Sequence, residues 1–133
     1  SVIGPELKTD GEELFHWFMK QEGQINGFTK AIWSGVTTLE LAKAVKWAIE
    51  ENITGVYHIT NNQSINKYDL LNLIKKYMGK DIIINKIDGK NVDKSFIDTR
   101  KQRDYEIPSY EVMVKEISDL IKDNPVLYKQ YLG

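Results

Sequence analysis

The sequence predicts an α/β fold in which about four helices alternate with short strands. Three stretches carry apolar residues at i, i+1, i+4, i+7 and i+8, the stripe of a helix with one buried face. Between them lie short runs rich in β-branched and aromatic residues, the composition of strands. Cap and breaker residues stand where these stretches begin and end.

Taken in order, Val2-Ile3 reads as a short strand closed by the Gly4-Pro5 turn. No initiator Met, basic region or apolar run precedes it, so it is not a signal peptide; it looks like a strand cut short at the start of an excised fragment. A first helix over about Gly11 to Gln21 turns Leu14, Phe15 and Phe18 inward, with Trp17 and His16 on its flank. Gln24 to Phe28 is a weaker strand. Thr37 and Glu40 form a capping box at the start of a second helix, whose Leu41, Ala42, Val45, Ala48 and Ile49 form the apolar stripe. Gly55 to Thr60 reads as a strand with Val56 and His58 on one side, Tyr57 and Ile59 on the other.

Ser64 is the expected cap of the third helix. Its stripe is Leu70, Leu71, Ile74, Tyr77 and Met78, and Gly79 supplies a left-handed stop. Ile82 to Ile87 is the next strand. Pro108-Ser109 opens the last helix, which buries Met113, Val114, Ile117, Leu120 and Ile121 and ends at Asn124-Pro125. The tail from Lys122 is polar apart from residues such as Tyr128 and Tyr131, and reads as a loosely docked helix.

Composition narrows the function. At 133 residues the chain suits one domain and is too short for a cofactor domain plus a substrate domain. Net charge is −1 and the lysines are dispersed, so no nucleic-acid footprint or basic recognition helix stands out. No apolar run approaches the roughly 20 residues of a membrane span. Zero cysteines exclude disulfides and cysteine-ligated zinc, and fit a reducing, cytoplasmic setting.

Four segments in the same order carry a family resemblance over roughly residues 1 to 121: Val2-Ile3-Gly4-Pro5; Gly35-Val36-Thr37-Thr38-Leu39-Glu40-Leu41-Ala42; Gly55-Val56-Tyr57-His58-Ile59-Thr60; and Ser95-Phe96-Ile97-Asp98-Thr99-Arg100-Lys101 followed by Ile107-Pro108. Together they resemble the C-terminal, substrate-binding part of extended short-chain dehydrogenase/reductases, closest to the dTDP-4-dehydrorhamnose reductase family. The resemblance implies a small substrate-binding lobe over 1–121 with a tail over 122–133. It also implies that the last strands of a Rossmann-type sheet are present and its N-terminal cofactor half absent. The family's glycine-rich dinucleotide loop and Tyr-x-x-x-Lys pair do not occur. The implied role is therefore to bind and orient a nucleoside-diphosphate sugar, such as a dTDP-4-keto-sugar, for reduction by NAD(P)H held in the other half. No catalytic residue, cofactor site or metal site is expected in this chain, and no turnover from it alone. The alternatives are an epimerase or dehydratase substrate lobe, or a non-catalytic binding or assembly module.

The resemblance also nominates site residues. Asn91 and Val92 stand where the family has Arg-Pro, and Ala31 and Ile32 where it has Asp-Gln. Without that arginine fork, Lys8, Lys30, Lys90, Lys94 and Arg100 are candidates for the diphosphate, with Lys30 and Arg100 nearest to motif segments. Phe28 and Trp33 flank a loop before a helix N-terminus, where a base or sugar ring can stack; core packing is the rival role. Thr37 is a cap first and a substrate contact second. Asp98 braces the loop before the last helix. His58 is read as structural and His16 as a surface or interface residue, since neither has a nucleophile or base implied beside it. Glu12-Glu13 and Glu50-Glu51 diverge by about 100° on their helices and form no acid/base dyad. Strand edges left open by a missing sheet invite pairing, so a homodimer or a rearrangement of the isolated fragment is expected.

Overall fold

The computed structural model describes residues 1–95 and 105–133. The elements in chain order are β1 (Val2–Ile3), α1 (Leu14–Lys20), β2 (Gln24–Phe28), β3 (Ala31–Trp33), β4 (Val36–Thr37), α2 (Thr38–Glu50), β5 (Ile65–Asn66), α3 (Lys67–Met78), β6 (Ile83–Ile87), β7 (Val92–Asp93) and α4 (Tyr110–Asp123), then a 3₁₀ turn, Lys129–Tyr131. The expected four helices and short strands are all of the α/β kind predicted.

Among the described residues, three small sheets hold the strands. β1 pairs parallel with β4, Val2 opposite Val36. β2 pairs parallel with β6, Gln24 opposite Ile83 through Phe28 opposite Ile87. β3 is central in the third, antiparallel to β5 and parallel to β7. The weak strand expected at Gln24 to Phe28 is thus real, made so by its parallel partner.

The core lies between α1, α3 and α4, where Phe15, Phe18, Leu70, Ile74, Met113, Ile117 and Ile121 are buried with Ile82. The apolar stripes of α3 and α4 face this core as their spacing requires. Ser109 caps α4 by accepting from the Val112 amide, and Gly79 closes α3 at φ 65°. The tail is firmly docked: Tyr131 is buried with its ring edge-on to Phe15, centroids 5.4 Å apart. Its hydroxyl bonds His16 Nδ1 at 2.7 Å and accepts from the Glu6 amide at 2.9 Å.

Four expectations are corrected. His16 is buried rather than on the surface, because the tail covers it. The cap of α3 is Asn66, whose side chain accepts from the Asp69 amide at 2.7 Å, not Ser64; Ile65–Asn66 is first used as β5. Gly55 to Thr60 is irregular rather than a strand. Its alternation survives, with Tyr57 and Ile59 turned inward and Val56 and His58 outward, and Tyr57 packs on Trp47 with ring centroids 5.5 Å apart.

The fourth correction concerns α2. Thr37 caps it, accepting from the Glu40 amide at 3.2 Å, but the reciprocal half of the box is not made. Glu40 is buried and its Oε1 accepts instead from the Tyr105 hydroxyl at 2.9 Å. Ala44 and Trp47 follow it inward, Trp47 lying 5.2 Å from the Tyr105 ring. Part of the predicted stripe consequently points out, Val45 being 49% exposed and Ile49 72%, while Leu41 stays packed against the core.

Candidate functional site

The site is built on the β3 sheet and the N-terminus of α3. The β3–β5 pairing brings Ile65–Asn66, and so the first residue of α3, Lys67, beside Trp33. On the other edge of β3, the amides of Val92 and Lys94 donate to the carbonyls of Lys30 and Ile32 at 3.1 and 3.0 Å. This fixes the base of the Lys94 side chain. The turn after it is held by Asp93, which accepts from both the amide and the hydroxyl of Ser95 at 2.8 and 2.5 Å. The same bonds hold the Asp93 carboxyl below the usual carboxylate range, so it stays ionised beside Lys94.

Two clefts meet across these residues. One, of about 270 Å³, is lined by Phe28, Ala31, Ile32, Trp33, Lys67, Lys90, Val92 and Lys94. The other, of about 290 Å³, is lined by Ser1, Val2, Ile3, Glu13, Leu14, Trp33, Lys67 and Lys94. Lys67, Lys94 and the rim of Trp33 belong to both. Lys67 and Lys94 therefore line both the aromatic cleft and the one floored by β1. The N-terminus of α3 adds positive potential of its own. No ion pair to Lys67, Lys90 or Lys94 occurs among the described residues.

Phe28 forms the wall of the first cleft because of Gly89. That glycine sits at φ 65°, and a Cβ there would lie 2.3 Å from Phe28 Cδ1. The Thr29 amide donates to the Ile87 carbonyl at 2.8 Å and the Thr29 hydroxyl to Asp88 at 3.1 Å, which anchors the same corner. Trp33 is a core residue, 7% exposed and tilted on Tyr110 at 5.8 Å; only its rim reaches the clefts. Burial pushes the Tyr110 phenol up, and its hydroxyl donates to the Gln63 carbonyl.

Of the residues nominated from sequence, Phe28, Trp33, Lys90 and Lys94 come together. Lys30 does not line either cleft and lies 3.8 Å from Asp88. Lys8 is exposed elsewhere, its carbonyl accepting from Gln130. Thr37 is buried as the cap of α2. Arg100 and Asp98, with most of the last motif segment, lie outside the described residues. Lys67 was missed, because placing the cap at Ser64 hides that this lysine is the first residue of α3. Among the described residues, no group of three or more His, Asp or Glu side chains could hold a metal ion, and no helix is long and apolar enough to cross a membrane.

No family model and no curated protein matches the chain. Solved structures do. A dTDP-4-dehydrorhamnose reductase from Clostridium acetobutylicum is similar at TM-score 0.65 and 18% identity, over 91% of this chain and 46% of that one. One from Bacillus anthracis, in complex with NADP, gives 0.64 and 16%, over 87% and 44%. A UDP-N-acetylglucosamine 4-epimerase from Methanobrevibacter ruminantium, in complex with UDP-N-acetylmuramic acid, gives 0.63 and 17%, over 92% and 44%. What is shared at such identities is the fold, and it is the fold implied by the sequence resemblance. The chain spans less than half the length of these structures.

Proposed function

We propose that this chain is the substrate-binding lobe of a sugar-nucleotide enzyme, binding and orienting a nucleoside-diphosphate sugar for reduction by NAD(P)H. The carrying observation is the pair of clefts that Lys67 and Lys94 both line. A nucleoside-diphosphate sugar has the matching outline: two ring systems joined by a dianionic bridge. In this reading the two ammonium groups clamp the diphosphate and the base lies against Phe28. The sugar occupies the cleft beside β1 and Glu13. Lys90 adds charge at the mouth of the first cleft. Residues 1–121 form the lobe and 122–133 clamp its back. The cysteine-free composition fits a cytoplasmic setting.

No glycine-rich loop of the kind that cradles a dinucleotide occurs in the sequence. The lobe's contribution is thus positioning, which supplies several kcal/mol of barrier reduction when the partner groups are in place. Similarity to both reductases and an epimerase supports the sugar-nucleotide class; reduction rests on the sequence segments described above.

Calorimetric titration of the chain with dTDP- and UDP-sugars tests this. Charge-assisted bonds of about 1.5–3 kcal/mol each predict that Lys67→Ala or Lys94→Ala weakens binding by roughly 10- to 100-fold. Absence of binding to any nucleotide sugar, or binding indifferent to both substitutions, overturns the assignment.

A further inference from the structure

We propose that Glu13 reads the sugar hydroxyls in the cleft floored by β1, and that Tyr131 and Gln130, acting through Glu6, position it. Resting on the function proposed above, this adds a specificity residue to that site and gives the C-terminal turn a part in binding.

Glu13 stands just ahead of α1 and lines the second cleft with Val2, Leu14, Lys67 and Lys94. Its side chain makes no cap bond to the helix. Its carboxylate takes part in none of the ion pairs found among the described residues. An ionised carboxylate only accepts hydrogen bonds, and its two oxygens can take neighbouring hydroxyls of a pyranose together. The lysine ammonium groups only donate, which suits phosphate oxygens. Donors and acceptors along this cleft therefore match the two parts of a sugar phosphate.

The anchor of Glu13 comes from seven residues earlier in the chain, where Glu6 Oε2 accepts from the Glu13 amide at 3.0 Å. Gly11 leaves room for that carboxylate. A Cβ there would lie 2.3 Å from Glu6 Oε2 and 2.8 Å from His16 Cγ. The backbone of Glu6 is held in turn by the C-terminal turn. Its amide donates to the Tyr131 hydroxyl at 2.9 Å, and its carbonyl accepts from Gln130 Nε2 at 2.7 Å. The same hydroxyl lies 2.7 Å from Nδ1 of His16, which is buried on α1. Glu13, Glu6, Tyr131 and His16 thus close a ring of bonds that starts ahead of α1 and returns to it. Such a ring holds the base of the Glu13 side chain in place, as a binding group that must meet its ligand without reorganising requires.

Calorimetric titration of the protein with dTDP and dTDP-glucose, and with UDP and UDP-glucose, tests this. The readout is the factor by which the sugar raises affinity, because a general loss of structure weakens both members of a pair and leaves that factor alone. In the wild type the factor is expected to be about tenfold, the worth of one charge-assisted hydrogen bond. Glu13→Ala is expected to bring it close to one, and Glu6→Ala and Tyr131→Phe to lower it by about threefold or more. The Tyr131 and Gln130 bonds use the Glu6 backbone, so Glu6→Ala cuts the path without removing them, even where Tyr131→Phe fails to fold. Combined with Glu13→Ala, it is expected to cost nothing further. A factor near one in the wild type, or one that survives Glu13→Ala, overturns the role of Glu13. A factor unmoved by Glu6→Ala or by a folded Tyr131→Phe, or a loss that adds to that of Glu13→Ala, overturns the positioning. Absence of binding to all four ligands overturns the function proposed above together with this inference, whereas binding of dTDP or UDP with an unmoved factor overturns this inference alone.

Discussion

Tyr131 does at the residue scale what several core residues do elsewhere. Its ring packs on Phe15 and its hydroxyl serves both His16 and the Glu6 amide. Tyr131→Phe keeps the ring contact and strands two polar groups, so unfolding in urea is expected to show a loss of about 1–3 kcal/mol. Tyr105 gives a pH signature. Burial and its bond to Glu40 push its hydroxyl from the ordinary value near 10 up to about 12. The folded state thus favours the protonated phenol. The stability this contributes is complete below pH 10 and is lost as pH rises through 12. Tyr105→Phe removes that dependence, so the stability difference between wild type and variant is expected to shrink across this interval. An unchanged difference would show that the Tyr105–Glu40 bond is not formed in solution.

Elements were legible where local pattern alone decides. The stripes of α3 and α4, the Thr37 and Ser109 caps and the Gly79 stop all follow from spacing and end chemistry. Thr37→Ala is expected to cost about 1 kcal/mol in thermal unfolding, the usual worth of a lost cap. What pattern cannot say is what a stripe faces. α2 has the apolar spacing of a core helix, yet Tyr57, Tyr105 and the Lys43–Glu116 bond at 2.7 Å hold its other side inward. Gly55 to Thr60 has strand composition, but a strand is a pairing and the composition names no partner. Gly89→Ala is expected to leave the fold intact and weaken nucleotide-sugar binding, because the new methyl displaces Phe28 and strains a backbone at φ 65°.

Across the whole molecule, the α/β class was legible in the sequence, and of the residues nominated there Phe28, Trp33, Lys90 and Lys94 line one cleft. Lys67 was invisible because its neighbourhood to Lys94 depends on β5, β3 and β7 meeting, residues 65, 33 and 93 being brought together by non-local pairing. The two ends of the chain are likewise joined at a distance: Gln130 donates to the carbonyls of Glu6 and Lys8 at 2.7 and 3.1 Å. Deleting residues 129–133 removes these bonds with the burial of Tyr131, and is expected to cost about 3–5 kcal/mol by calorimetry.

The position of Trp33 has an optical consequence. Its indole is sheltered by Tyr110 and touches both clefts by one rim, whereas Trp17 is open to water. The molecule therefore carries a short-wavelength emitter lining its two hollows and a long-wavelength one on α1, the third tryptophan, Trp47, being packed on Tyr57 and Tyr105. Filling the hollows should dim the first and leave the second alone, a colour change that reports occupancy without any label.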